Sequence, residues 1–180
     1  MREISLHILD LVQNSVEAGA TKVSLFVTED SAQDVLTVKV VDNGRGMAKE
    51  LIDRIRNPFV TTRTTRKVGL GLPLIDMSTK MSDGYLTIES EVGKGTEVFA
   101  CFKHSHIDRP PLGDIQSTIK VIVVSYQQID FYYEHRKDDK SFVVDTKQIK
   151  EILGDDIDFN EQIFRQWLDE YLSEGLRNLN

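Results

Sequence analysis

With 180 residues, 40% of them hydrophobic and 28% charged, the chain is long enough to bury a sizeable core and ordinary enough in composition to fold as a globular protein. Its net charge of −7 argues against non-specific binding to nucleic acid or anionic membrane, and the excess acid lies beyond residue 104, where Asp and Glu outnumber Lys and Arg by 15 to 9. A single cysteine, Cys101, rules out an internal disulfide and a cysteine-based metal site; the lack of a long apolar run or a signal-peptide pattern predicts a cytoplasmic protein.

The first segment predicts an amphipathic helix, because Ile4, Ile8, Leu11, Val12 and Val16 repeat on one face and Gly19 follows as a stop. The runs KVSLFVT and VLTVKVVD read as two strands separated by the polar turn EDSAQD. A short helix, KELIDRIRN, ends at Pro58; the loop TTRTTRKVGLG leads into a second, LPLIDMSTKMS, with Pro73 near its first turn. YLTIESEV and TEVFACFKH make an antiparallel pair around the turn GKG. The expected fold is therefore α+β, a two-layer sandwich of helices on a four-stranded, mainly antiparallel sheet, contained in residues 1–106.

Pro110, Pro111 and Gly113 mark a boundary, so residues 107–180 are expected to form a small mixed appendage. IQSTIKVIVVSYQQ fits strand and helix equally, since its β-branched residues favour one and its spacing the other. IDFYYEHRKDDKSFVVDT predicts a hairpin whose turn region holds His135, and KQIKEILG a short helix between Asp145 and Gly154. Asp158 and Glu161 make a capping box for a final helix with an apolar face of Phe159, Ile163, Phe164, Trp167, Leu168, Tyr171 and Leu172.

Three features carry chemistry. On the first helix Asp10 and Asn14, four residues apart, project together, and a carboxylate beside an amide oxygen can hold a hard cation and orient a water or hydroxyl. The second strand ends on an acid, Asp42, and then places Gly44 and Gly46 two residues apart in DNGRGM, more glycine than a plain turn needs. Arg63, Arg66 and Lys67 precede Gly69-Leu70-Gly71 and a helix start, so cations, free backbone N–H groups and a helix dipole converge on one place, an arrangement that suits a polyphosphate. There is neither GxxxxGK[ST] nor a GxGxxG after a first strand, which excludes a P-loop and a dinucleotide fingerprint. DDIDFNE lacks the glycine and final glutamate of a calcium loop, and His104 and His106 have no third ligand nearby.

Taken in order, HILDLVQNSVEAGAT, DNGRGM, PFVTTRTTRKVGLGLPLI and GKGTEV resemble the successive boxes of the GHKL ATP-binding superfamily, the group of DNA gyrase, a heat-shock chaperone, histidine kinases and mismatch-repair ATPases. The resemblance covers about residues 1–104. It implies that Asn14 coordinates Mg²⁺ on the phosphates of ATP and that Asp42 accepts the adenine amino group, supported by Thr96. It also implies that Gly44 and Gly46 make room for the base, that residues 60–68 form the lid, and that Gly69 and Gly71 approach the phosphates. LVQNSVEAGAT is most similar to the mismatch-repair enzymes, but Asp10, just ahead of it, takes the place of their general-base glutamate, shortening the reach by roughly 1.5 Å. PFVTTR closely followed by GLGL is most similar to the histidine kinases.

Three readings follow from the resemblance: a kinase in which Asp10 orients an acceptor on a partner protein, an ATPase switch in which Asp10 positions water, and a nucleotide sensor without catalysis. With no helical hairpin ahead of the nucleotide-binding helix, the phosphoryl acceptor is expected on another protein or in the appendage, where His135 is the one histidine beyond the boundary. The appendage lies outside the resemblance; it is open to docking on the ATP domain, pairing two copies or binding a partner, with docking preferred because Phe164 and Trp167 need cover.

Overall fold

The computed structural model describes residues 3–56, 71–154 and 157–180. Helix α1 (Ile4–Glu17) buries Ile4, Ile8, Leu11 and Val12, and the left-handed Gly19 closes it with its N–H on the Val16 carbonyl. Strands β1 (Lys22–Asp30) and β2 (Val35–Asp42) form an antiparallel hairpin. Helices α2 (Lys49–Arg56) and α3 (Gly71–Met81) follow, then the antiparallel pair β3 (Tyr85–Glu91) and β4 (Gly95–Lys103). Inward residues alternate along each central strand: Val23, Leu25 and Val27 on β1, Leu36, Val38 and Val40 on β2, and Val98, Ala100 and Phe102 on β4.

The sheet does not stop at four strands. Its order is β3-β4-β2-β1-β5-β6, where β5 (Asp130–Lys137) runs parallel to β1 and β6 (Lys140–Asp145) returns antiparallel. The expectation of a four-stranded sheet is corrected to a six-stranded mixed one. The reason is that β1 would otherwise leave a long apolar strand unpaired along one edge, and Phe131, Tyr133 and His135 of β5 alternate inward at the matching period. A β1–β5 pairing joins residues more than a hundred apart, so no local pattern announces it.

Helix α4 (Ile115–Ser125) settles the ambiguous segment. The Asp114 carboxylate accepts the N–H of Ser117, and Ile115, Ile119, Ile122 and Val123 bury one helical face. Helix α5 (Thr146–Leu153) starts on the cap Asp145 and ends at the left-handed Gly154. The capping box expected at Asp158 is not formed. Helix α6 (Gln162–Leu179) begins four residues later, with Glu161 as its cap residue and no side-chain cap. The Asp158 carboxylate instead accepts the N–H of Asn160, and buried Phe159 stacks on Phe164 at 4.3 Å, so local bonding and packing hold the chain outside the helix. Among the described residues no helix is long and apolar enough to cross a membrane.

His135 lies in β5 and not in the hairpin turn. It is buried, with Nε2 2.9 Å from Glu29 and Nδ1 2.9 Å from the Tyr133 hydroxyl. With Nε2 donating to the carboxylate, Nδ1 accepts from the tyrosine. The bond from His135, ahead of burial, which opposes it, holds the Glu29 carboxyl down to about 2. His104 and His106 lie past the end of β4 and turn to different acids, Glu29 and Asp83, so strand spacing does not bring them together.

His7 points into the α1–α3 interface, fully buried, with Nε2 3.3 Å from the Ser78 hydroxyl and Nδ1 without a protein partner. Burial pushes its pKa from 6.5 down to about 4. Between those values the unfolded chain binds a proton that the folded chain refuses, so stability present above pH 6.5 is lost as the pH falls toward 4. Denaturant titrations should show a loss on the order of 3 kcal/mol across this window. His7→Leu should flatten it, because Ser78 keeps its bond to the Leu74 carbonyl. Above pH 4.5 the comparison isolates His7, since the Glu29 contribution is lost only from 4.5 downward. An equal slope in the variant would refute the assignment.

Candidate functional site

The site grows from the end of β2. Asp42 pairs in register with Thr96 of β4, and its carboxylate is engaged from two sides. Oδ2 accepts from the Ser15 hydroxyl of α1 at 2.7 Å, and Oδ1 accepts from the Gly44 N–H at 2.8 Å. Asn43 ties the same turn to the start of β1, its side chain accepting from the N–H groups of Thr21 and Lys22 and donating to the Thr21 hydroxyl. The Arg45 N–H donates to the Ala18 carbonyl. DNGRGM is thus a turn stapled to the C-terminal end of α1.

The glycines serve close approach. At Gly46, with φ of +67°, a Cβ would stand 2.0 Å from the Glu91 carbonyl oxygen; at Gly95, with φ of +117°, it would stand 2.0 Å from the carbonyl oxygen of Asp42. Gly44 packs against Ala18, where a Cβ would meet the alanine side chain at 2.9 Å. Ser90 organises the far side, accepting from the Met47 N–H at 2.8 Å and donating to the Gly95 carbonyl at 2.9 Å. Its one proton being used there, the 2.8 Å contact with Thr96 is donated by Thr96. The Thr96 oxygen therefore faces the cleft as an acceptor.

Between α1, the sheet and α2 lies a narrow cleft walled by Leu11, Val40, Met47, Leu51, Leu72 and Val98, with Asn14, Asp42 and Thr96 also on its surface. An apolar cleft with a carboxylate among its lining suits a ring bearing an N–H donor. Asn14, next to Ser15 on α1, also lines this cleft, and Asp10 stands one helical turn before it. Gly71, the first residue of α3, comes so close to Asp10 that a Cβ would stand 3.1 Å from the aspartate Cβ. The start of α3 is thus brought beside Asp10. Burial raises the Asp10 pKa above its ordinary value, against a weaker opposing pull from the chain N-terminus.

Of the residues singled out in the sequence, Asn14, Asp42, Gly46 and Thr96 line this cleft; Gly44 is bonded to Asp42, and Gly71 packs against Asp10. Arg63, Arg66, Lys67 and Gly69 lie outside the described residues. Ser15, Ser90 and Gly95 are working parts that sequence reasoning passed over. Ser15 adjoins Asn14 and Gly95 adjoins Thr96, so only the two motifs' neighbours could have flagged them; Ser90 sits in an ordinary strand and gives no signal.

The histidine kinase-, DNA gyrase B- and HSP90-like ATPase family matches residues 2–106, more than half of the chain. The chain belongs to this family. Relatives include sporulation kinase D of Bacillus subtilis, 37% identical over 91 residues (51% of this chain and 18% of the kinase), and sporulation kinase C of the same organism, 38% identical over 92 residues (49% and 20%). The non-motile and phage-resistance protein of Caulobacter vibrioides is 33% identical over 117 residues, 60% of this chain and 14% of that protein. The chain therefore spans a fifth or less of the length of each of these relatives. The family match ends at residue 106, whereas the sheet continues through β5 and β6.

The close approaches make a testable comparison between two left-handed glycines on one loop. Gly93→Ala has open space around its Cβ and should lose about 1 kcal/mol from backbone strain alone. Gly95→Ala meets the Asp42 backbone and should lose at least ~2 kcal/mol more in denaturant unfolding. Equal losses would mean that the approach to Asp42 is not a constraint.

Proposed function

We propose that the cleft binds Mg·ATP and that the chain passes the γ-phosphoryl group to a partner protein, as a histidine-kinase-like phosphotransferase. The observation that carries this reading is the Asp42 carboxylate, oriented by Ser15 and Gly44 at the end of an apolar slot. Each carboxylate oxygen keeps a free lone pair, so one can accept the adenine amino group, and the Thr96 oxygen can accept directly or through water. Gly44 and Gly46 leave the backbone low enough for the ring to lie against it.

On α1, Asn14 and Asp10 stand one helical turn apart, an amide oxygen and a carboxylate that make a hard donor set for Mg²⁺ in company with phosphate oxygens. When bound, the metal neutralises charge across the phosphates. The α3 N-terminus, opened by Gly71, supplies N–H groups and a positive dipole end to the same oxygens. Arg63, Arg66, Lys67 and Gly69 are assigned to the phosphates from the sequence alone. Asp10, with its pKa raised by burial, accepts a hydrogen bond from the attacking group and orients it. The bond from the γ-phosphorus to its bridging oxygen breaks as the new one forms, and ADP leaves. Kinases among the relatives favour a protein acceptor over water. Hydrolysis coupled to a conformational switch is the second reading, favoured by the Asp10 carboxylate packed against Gly71 at the start of α3.

Asp42→Asn should lower ATP affinity roughly 10- to 100-fold by calorimetry, because its N–H₂ would face the adenine amino group donor to donor. Its unfolding midpoint should barely move, since the amide oxygen still serves Gly44 and Ser15 can accept from the amide. Unchanged affinity would refute the adenine assignment. Asn14→Ala should abolish the gain in affinity that Mg²⁺ confers. The reaction class is read from γ-labelled ATP with wild type and Asp10→Asn: free phosphate lost in the variant makes the chain an ATPase switch. Label appearing only on an added partner makes it a kinase. Intact bound ATP under both conditions leaves a nucleotide sensor.

A further inference from the structure

At the opposite edge of the sheet, α5 and α6 flank the edge strand β6 and leave an apolar groove between them. The α6 side chains expected to share one buried face divide: Phe164, Leu168 and Leu172 are buried, whereas Ile163 is 81% exposed and Trp167 and Tyr171 are about 40% exposed. Ile152 of α5 faces them, 80% exposed, above buried Ile149. These groups are held in place before anything binds. Trp167 stacks on Tyr171 at 5.3 Å and 10° and leans on Phe164 at 5.6 Å, and the Tyr171 hydroxyl donates to the Val143 carbonyl of β6. Rigid aromatic anchors beside exposed isoleucines make a surface that gains by being covered, with little side-chain freedom left to lose.

The charges choose the occupant. On α6, Glu170 and Glu174 continue the helical line of Ile163 and Trp167, and both are exposed. The cations nearby are largely committed: Lys147 pairs with Glu151, Lys150 donates to the Gln127 carbonyl and approaches Asp130, and Arg165 donates to Asn160 on the far side of α6. Arg177 stands near the C-terminal end of the line, beyond Glu174. A second copy of this chain would bring the same glutamates and another net charge of −7 to the interface. Anionic bilayers and nucleic acid are repelled by the same field. We propose that this groove docks an amphipathic helix of a partner protein, its apolar ridge on Ile152, Ile163, Trp167 and Tyr171 and its Lys or Arg residues on Glu170 and Glu174. The inference stands apart from the nucleotide cleft and does not depend on how that cleft is used.

Trp167 is the only tryptophan in the chain, so its fluorescence reports on the groove directly. The full chain is titrated with a model helix carrying leucine on one face and lysine on the other, and with a counterpart bearing glutamate for lysine. The expected result is a saturable blue shift with the leucine–lysine helix and at least tenfold weaker binding of the leucine–glutamate one. Glu170→Lys with Glu174→Lys should reverse that preference. Ile163→Asp should weaken the leucine–lysine helix at least tenfold, although it adds negative charge and would strengthen mere electrostatic attraction; Ile163 is exposed, so the fold is spared, as the unfolding midpoint will verify. No saturable shift, equal binding of the two helices, or full binding by Ile163→Asp would each overturn the proposal. So would a dimer in sedimentation that Ile163→Asp dissociates, which would assign the groove to a second copy.

Discussion

The Asp42 carboxylate is the joint on which the site depends. A carboxylate at the end of an apolar slot is costly to bury unless its charge is met by hydrogen bonds. Ser15 meets one oxygen from the helix layer and Gly44 meets the other from the turn. Its own carbonyl lies under Gly95, so the second hairpin can approach only because that residue has no side chain. One residue therefore fixes the height of α1 over the sheet, the path of DNGRGM and the seat of the β3–β4 turn. A shift in any of these would leave the acid with an unmet lone pair in an apolar setting, at roughly 1–3 kcal/mol. That penalty makes the cleft a preformed surface with a fixed acceptor.

The sheet beyond β1 is tied just as specifically. Parallel pairing of β1 with β5 gives the hairpin its register, and the Glu29–His135–Tyr133 chain adds polar bonds between the same two strands. In a sheet core such groups are tolerated only when each is satisfied, so the chain of bonds disfavours a slipped register, which would move His135 away from Glu29. The backbone also ties the two halves at the helix layer, where Ile4 and Ser5 donate to the carbonyls of Pro111 and Leu112. Residues beyond 106 thus share sheet and helix layer with the cleft.

Local structure was legible in the sequence and long-range pairing was not. α1 and α3 follow from apolar periodicity, and the cleft residues sit within short motifs whose spacing is preserved when the chain folds. The α4 segment was undecidable from periodicity because its β-branched residues bury well in either form; the Asp114 cap tips it to helix. The start of α6 was misread because Asp158 and Glu161 satisfy a capping pattern that an Asp158–Asn160 bond pre-empts. The splitting of the α6 apolar face was likewise hidden. Periodicity says which residues are apolar together, whereas the width of the neighbouring helix decides how many of them find cover.

Charge is partitioned along the chain in a way that serves both surfaces. Residues 1–104 carry 13 basic against 14 acidic side chains, so the part holding the cleft is nearly neutral, and the acidic excess falls on residues 105–180. A uniform spread of the −7 would instead put a net negative field over the cleft. The strand order puts three strand spacings between β2, which ends in Asp42, and β6, which borders the groove. At about 4.8 Å each that is roughly 14 Å, well past the Debye length of about 8 Å at physiological ionic strength. Screening then keeps most of the field of the α6 glutamates from the cleft. A sheet of only four strands would have no room for that separation, which gives the two added strands a physical consequence beyond closing the edge of β1.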